Sequence, residues 1–185
     1  MPILEYKGKR PKIHPEAMIS PQALIVGDVE IGRGSSVFPG AVLRGDVARI
    51  RVGEYTNIQE NAVLHGGDIY EGSKLVSHTP VEVGSYVTIA HGAVVHGCRV
   101  EDTVMIGVRA VVFNQAVIGE GSIVGMGAVV LEGMKVPPRS VVVGVPAKAV
   151  KKVDDVAYSM IRNHALFYHR LAKSHVSGFL TYAGS

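Results

Sequence analysis

The sequence predicts an all-β solenoid, a parallel β-helix of hexapeptide repeats closed by one C-terminal α-helix. Three observations predict it. Aliphatic residues recur every six positions, small or β-branched residues follow them at a constant offset, and the C-terminal segment switches to a helical period.

The sixfold phase begins at Ile13 and runs through Ile19, Ile25, Ile31, Val37 and Leu43, then, after a short excursion, through Val52, Ile58 and Leu64. A longer interruption precedes Val83, Ile89 and Val95. A one-residue slip at Val100 resets the frame, which continues through Ile106, Val112, Ile118, Val124, Val130, Val136 and Val142. Four residues after most of these stands a small or β-branched residue, among them Ala23, Ser35, Ala41, Thr56, Ala62, Ala93, Ala110 and Ala128. Two inward positions per hexamer describe a short strand and a tight turn, and three such strands make one triangular coil. Stacked coils pair at a rise of about 4.8 Å, which makes the fold quasi-one-dimensional. Glycines directly after an aliphatic position, as at Gly32, Gly53, Gly84, Gly107, Gly119 and Gly125, read as points where the chain bends closely. A sandwich would show turns every 8–12 residues or so, without strict phase.

Past GVPAK (Gly144 to Lys148), Ala157, Ile161, Ala165, Tyr168 and Leu171 fall at helical intervals between Asp154 and His175. Asp154 and Asp155 suit a helix N-terminus, and Lys173 suits its far end. The organisation is read as a β-helix domain over residues 1–150, with a helix and tail over residues 151–185 packed on it. The final GFLTYAGS reads as a loose tail.

Bulk properties agree with one domain. The chain has 185 residues, 47% of them hydrophobic, which is enough for a substantial core. The 22 glycines, 6% aromatics and absence of Trp suit a core of Val, Ile, Ala and Gly. The net charge of +3 is dispersed, so no basic block favours nucleic acid. Cys98 stands alone and forms no internal disulfide. No apolar run approaches the roughly 18 residues that span a bilayer, and MPILEYKGKRPK lacks the features of a signal peptide. The expectation is a cytoplasmic protein with no membrane segment.

Of the 8 histidines, three gain meaning from the register. His65 follows Leu64 and His96 follows Val95, each the third hexamer after an interruption. If the longer interruption bulges out without shifting the stack, both sit on one face, one coil apart. Their backbones are then about 4.8 Å apart, close enough to share a metal at roughly 2.0–2.1 Å. His91 follows Ile89 by two and lies on the preceding face, so a neighbouring subunit is expected to supply it. Three neutral imidazoles leave a fourth position for water, whose pKa falls to about 7. The donor set suits Zn2+, with Fe2+ or Co2+ also possible. His14, His78, His164, His169 and His175 read as surface residues.

LRGD (Leu43 to Asp46), TNIQENAVLH (Thr56 to His65) and TIAHGAVVHGC (Thr88 to Cys98) resemble the γ-class carbonic anhydrases, in the same order and with similar gaps. The resemblance runs from about Ile13 to the C-terminal helix. It implies a left-handed coil and a homotrimer with metal sites between subunits, His65 and His96 coming from one chain and His91 from the next. It also implies the activity, which is reversible hydration of carbon dioxide to bicarbonate by a metal-bound hydroxide. By the same resemblance Arg44 and Asp46 form an ion pair at the interface. Gln59 orients the hydroxide, Asn57 assists with carbon dioxide or bicarbonate, and Tyr168 lies near the site, although helical packing explains Tyr168 equally well. Asn57 and Gln59, two apart on one strand, share a face in any case.

One departure stands out. Some members of the family place a glutamate directly after Arg-Gly-Asp to move protons, and this chain has Val47 there. The loop from Gly66 to Pro80 offers Asp68, Glu71 and His78 as substitutes. Two other readings remain open: a non-catalytic anhydrase-like metal-binding scaffold, and a coenzyme A-dependent hexapeptide-repeat acyltransferase, which GVPAK also resembles.

Overall fold

The computed structural model describes residues 3–179, with side chains through His175. The chain winds as a left-handed parallel β-helix. Its strands stack into an eight-stranded sheet and a twelve-stranded sheet, the latter bending around two faces through the long strand Val42–Val52. Ile25, Leu43, Leu64, Val95, Val112 and Val130 pair in register from coil to coil and are fully buried. The small residues at the second inward position, Ala23, Ala41, Ala62, Ala93, Ala110 and Ala128, are buried beside them. A fully buried Leu, Ile or Val contributes roughly 1.5–3 kcal/mol relative to exposure, so the sixfold aliphatic phase is the core itself.

The glycines after the aliphatic positions have a different reason from the one expected. A Cβ on Gly53 would lie 2.6 Å from the Gly84 carbonyl carbon, and one on Gly32 would lie 2.6 Å from the Gly53 carbonyl oxygen. Close approach between coils excludes a side chain there. The bends themselves are made elsewhere, by left-handed residues that stack along the corners. One corner carries Gly34, Tyr55, Tyr86, Thr103, Gly121 and Arg139, most of which are not glycine. Hydrogen bonds to the coil below recur along it, as in Tyr55 N–H to Arg33 O (2.9 Å) and Tyr86 N–H to Glu54 O (2.8 Å), and hold residues that alone disfavour this conformation.

The longer interruption is ordered. Gly67–Glu71 and Lys74–Thr79 form an antiparallel hairpin that projects from the solenoid and leaves the stack undisturbed. The helix, α1, spans Asp155–Phe179, and the Asp154 carboxylate caps it by accepting the Ala157 N–H at 2.8 Å. Of the expected helical face, Ile161 and Ala165 are fully buried and Ala157, Tyr168 and Leu171 half-buried. Ile161 packs with Met105, Ile123, Val141 and Val153. Farther along, His169 donates to Gly34 O (2.7 Å) and meets Tyr55 edge-on, and the Arg162 guanidinium lies over Tyr86. His164 and His169 are therefore packing residues of the helix interface and not the free surface residues expected. The expected loose tail lies outside the described residues, except that α1 continues through Phe179.

Three faces result, and they differ. One, with the column Met18, Ser36, Asn57, Thr88, Met105, Ile123 and Val141, is covered by α1. A second carries Lys12, Glu30, Arg51, Glu82, Arg99, Val117 and Lys135 in register. The third carries Leu24, Val42, Val63, Val94, Val111 and Val129, a column of half-buried aliphatic side chains that lies away from α1, which packs on the first face.

Candidate metal centre

On this valine face, the next outward column is Val26, Arg44, His65 and His96. The hairpin leaves the solenoid directly after His65, so the expected register holds and His65 pairs with His96. Nδ1 of His65 lies 3.2 Å from Nε2 of His96. The outer nitrogen of each ring faces an oxygen: Nε2 of His65 faces Asp46 Oδ1 at 3.0 Å, and Nδ1 of His96 faces Asn114 Oδ1 at 2.7 Å.

Those outer contacts decide the tautomers. A carboxylate only accepts, so His65 carries its proton on Nε2. Asn114 uses its nitrogen to donate to Asp68 O (3.3 Å), so its oxygen accepts from His96 Nδ1–H. Burial lowers the His65 pKa, against the opposing pull of Asp46, and keeps the imidazole neutral at pH 7. Burial raises the Asp46 carboxyl, but hydrogen bonds from Arg44 and His65 outweigh it and hold the carboxyl below its ordinary value. With both rings neutral, as metal binding requires, the inner nitrogens present their lone pairs to each other. Their separation matches the edge of a tetrahedron with metal–nitrogen bonds of about 2.0–2.1 Å, roughly 3.3 Å. The pair fits a zinc-type cation. Its oxygen partners are those that usually orient metal-bound histidines.

Other contacts fix the rings. Phe113 stacks on His96 with centroids 5.2 Å apart, and Arg44 Nη1 donates to Asp46 Oδ2 at 2.6 Å. His65 and Asp46 are largely buried, with side chains 13% and 18% exposed, whereas Arg44 is half exposed. Among the described residues of one chain, no group of three or more His, Cys, Asp or Glu side chains is placed to hold a metal. His91 lies at the corner where the chain first enters the valine face, and His65 and His96 lie where it leaves. His91 Nδ1 donates instead to Glu60 Oε2 at 2.6 Å.

Behind His91, on the helix-covered face, Gln59 Nε2 donates to Asn57 Oδ1 (2.9 Å) and Asn57 Nδ2 donates to Thr88 Oγ1 (2.9 Å). Thr88 Oγ1 lies 3.1 Å from His164 Nδ1 on α1. Gln59, Asn57 and Thr88 are buried. The Tyr168 ring packs 4.9 Å from His164 and 5.6 Å from Phe38. Burial and the nearby Glu60 charge raise its phenol pKa. In one chain the predicted residues thus form two groups, Arg44, Asp46, His65 and His96 at one edge of the face, and His91 at the other with Asn57, Gln59 and Tyr168 behind it on the helix-covered side.

Of the hairpin residues, Asp68 pairs with His78 at 2.9 Å and joins His96 through Asn114, while Glu71 sits beside the hairpin turn. Val47 is 40% exposed. Sequence reasoning missed Asn114, Glu60, Phe113, Thr88 and His164. Glu60 and Thr88 were findable, because they occupy the same coil positions as His91 and Asn57, one coil away. His164 had no such signal, since the rotation of α1 against the sheet is not written in the repeat.

No protein-family model matches the chain. Among curated relatives, it is 39% identical to gamma carbonic anhydrase 1, mitochondrial, of Arabidopsis thaliana, over 91% of this chain and 60% of that protein. The chain thus spans less than two thirds of that relative's length. It is 42% identical to a probable carbonic anhydrase of Methanocaldococcus jannaschii, over 84% of this chain and 92% of the relative. It is 35% identical to the carnitine operon protein CaiE of Escherichia coli, over 93% and 84%. Among solved structures, a hexapeptide transferase family protein from Anaplasma phagocytophilum superposes with a TM-score of 0.85 at 32% identity, covering 94% of this chain and 97% of the other. A putative acetyltransferase from Bacillus cereus gives 0.86 at 30% identity, covering 95% and 96%. With the coil, the register and the relatives in agreement, the chain belongs to the γ-class carbonic anhydrase family of hexapeptide-repeat proteins.

Proposed function

We propose that this protein hydrates carbon dioxide to bicarbonate, with release of one proton, at a metal held by His65 and His96 of one chain and His91 of a neighbouring copy in a homotrimer. The observation that carries the reading is the His65 and His96 pair, two converging lone pairs whose outer nitrogens are tied to Asp46 and Asn114. The valine column supports self-association, because its half-buried aliphatic side chains keep a continuous apolar stripe in contact with water. Placement of His91 and of the His65 and His96 pair at opposite edges of that face supports a cyclic contact, in which each edge meets the other edge of the next copy.

Zinc, or iron or cobalt in its place, would when bound make water acidic enough to furnish hydroxide near neutral pH. The chain's own residues do the rest. Asp46 and Asn114 orient the ligand rings, and Glu60 does the same for His91. Gln59 and Asn57 present fixed amides beside His91, where Gln59 orients the nucleophile and Asn57 steadies carbon dioxide or bicarbonate. Arg44 keeps Asp46 ionised. Val47 leaves no glutamate to receive the released proton, and the paired Asp68 and His78 on the hairpin are the acceptors in view; the Asp68 backbone carbonyl, which accepts from Asn114, holds that part of the hairpin near His96.

Val47 favours a second reading, a metal-binding scaffold with little or no turnover. Anaerobic purification with metal quantification, followed by stopped-flow hydration in zinc, cobalt and iron(II) forms from pH 6 to 9, separates the two. The expected result is about one metal per chain, lost in His96→Ala and in His91→Ala, together with hydration above the buffer rate. Full metal without hydration in any form gives the scaffold reading. Acetyl transfer from acetyl coenzyme A that needs no metal gives the acyltransferase reading.

A further inference from the structure

The two amides next to His91 are held by a hydrogen-bonded chain whose direction the structure fixes. Asn57 Nδ2 lies 3.3 Å from Val87 O, and a backbone carbonyl only accepts, so that atom must be the nitrogen. The same nitrogen donates to Thr88 Oγ1 at 2.9 Å. The other end of the Asn57 amide is then oxygen, which only accepts, so Gln59 must turn its Nε2 toward it, at 2.9 Å. Thr88 receives the Asn57 N–H, which leaves its own O–H free to donate to His164 Nδ1 at 3.1 Å. Thr88 is 1% exposed, Asn57 1% and Gln59 2%, so water does not scramble the order.

We propose that Thr88 and His164 are positioning residues, which together with the Val87 carbonyl hold the Asn57 amide so that one Gln59 N–H points inward and the Gln59 carbonyl oxygen is the group offered to the reacting water. The helix thereby reinforces, through Thr88, a polarity that the Val87 carbonyl of the solenoid already favours. Reversal of the chain would present N–H groups in place of that oxygen and orient the nucleophile wrongly. The catalytic side of this inference rests on the hydration reading above, whereas the amide orientation does not.

The test pairs a disruptive with a conservative change at each residue: Thr88→Val against Thr88→Ser, and His164→Phe against His164→Asn, which keeps an acceptor where Nδ1 stood. Two quantities are measured, the side-chain amide proton and nitrogen resonances of Asn57 and Gln59, and the hydration kcat at matched metal content. Thr88→Val and His164→Phe are expected to shift or broaden both amides and to lower kcat about ten- to a hundredfold, with bound metal unchanged. Thr88→Ser and His164→Asn are expected to restore both. Unshifted amides in Thr88→Val, or equal losses in Thr88→Ser, overturn the inference, because the hydroxyl would then play no part. Should either disruptive variant fail to fold, the other pair decides. If the unaltered protein shows no hydration with metal bound, the function proposed above fails, and the resonances alone judge the chain of hydrogen bonds.

Discussion

The valine face and the charged face are built by the same repeat, from strands paired in the same way, yet they carry opposite chemistry. On one, Val42, Val63, Val94, Val111 and Val129 line up outward beside Arg44, His65 and His96. On the other, Glu30, Arg51, Glu82 and Arg99 alternate in sign along the stack, with Arg51 Nε 2.9 Å from Glu30. Inward positions cannot distinguish the two, since both are aliphatic and buried. The difference lies in the outward residues, which do not matter to folding of the coil and so are free to record what each face meets. Alternating charge suits water and discourages self-pairing, whereas a valine stripe calls for cover.

The largest expected effect breaks that contrast directly. Val63→Asp combined with Val94→Lys should convert an assembled species to single chains, as read by light scattering with size-exclusion chromatography. Glu82→Lys combined with Arg99→Glu should leave the mass unchanged. The reverse result would assign assembly to the charged face.

Next in size is the cost of forcing two coils apart. Gly53→Ala places a Cβ 2.6–2.7 Å from Gly84 backbone atoms, and overpacking of this kind costs about 1–3 kcal/mol or more. Its denaturation midpoint should fall well below that of Gly127→Ala, where no atom lies within 4 Å of the added carbon and only the positive φ of 66° opposes it.

A smaller effect concerns acid. The folded-state pKa values of His65 and His164 are both lowered, chiefly by burial, and that of Asp46 is lowered because hydrogen bonds from Arg44 and His65 outweigh its burial. All three bind fewer protons folded than unfolded, so stability rises with pH across each window. The metal-free protein should lose stability as pH falls below about 6.5, where the unfolded histidines take up protons, and again below about 4 through Asp46. Urea midpoints between pH 8 and 3 measure this, and His164→Asn should flatten the upper step. Smallest of all, Arg99→Ala on the charged face should change stability by no more than about 0.5 kcal/mol, since its contact with Glu101 is 4.0 Å and exposed.

Much of the site is legible in the sequence. The placement of His65 over His96 follows from counting hexamers, because an ordered hairpin can leave a coil and rejoin it without changing phase. The neighbouring positions of Asn57 and Gln59 follow from strand alternation. Asn114 was harder to find. It reaches His96 across the one-residue slip near Cys98, where the coil shortens and simple counting loses its place. The glycine positions were seen but misread, since sequence distinguishes poorly between a residue that must bend and one that must leave room.

By itself, the sequence determined the solenoid, its register, the capped helix and the identity of the histidines that face one another. A short period fixes which residues point inward, and parallel pairing fixes which residues are neighbours. Only the tertiary structure decided the ring tautomers, the Asp46 and Asn114 contacts behind them and the approach of His164 to Thr88. Each depends on side-chain rotation or on the angle at which α1 lies across the sheet, and neither is encoded by a repeat that specifies the backbone alone.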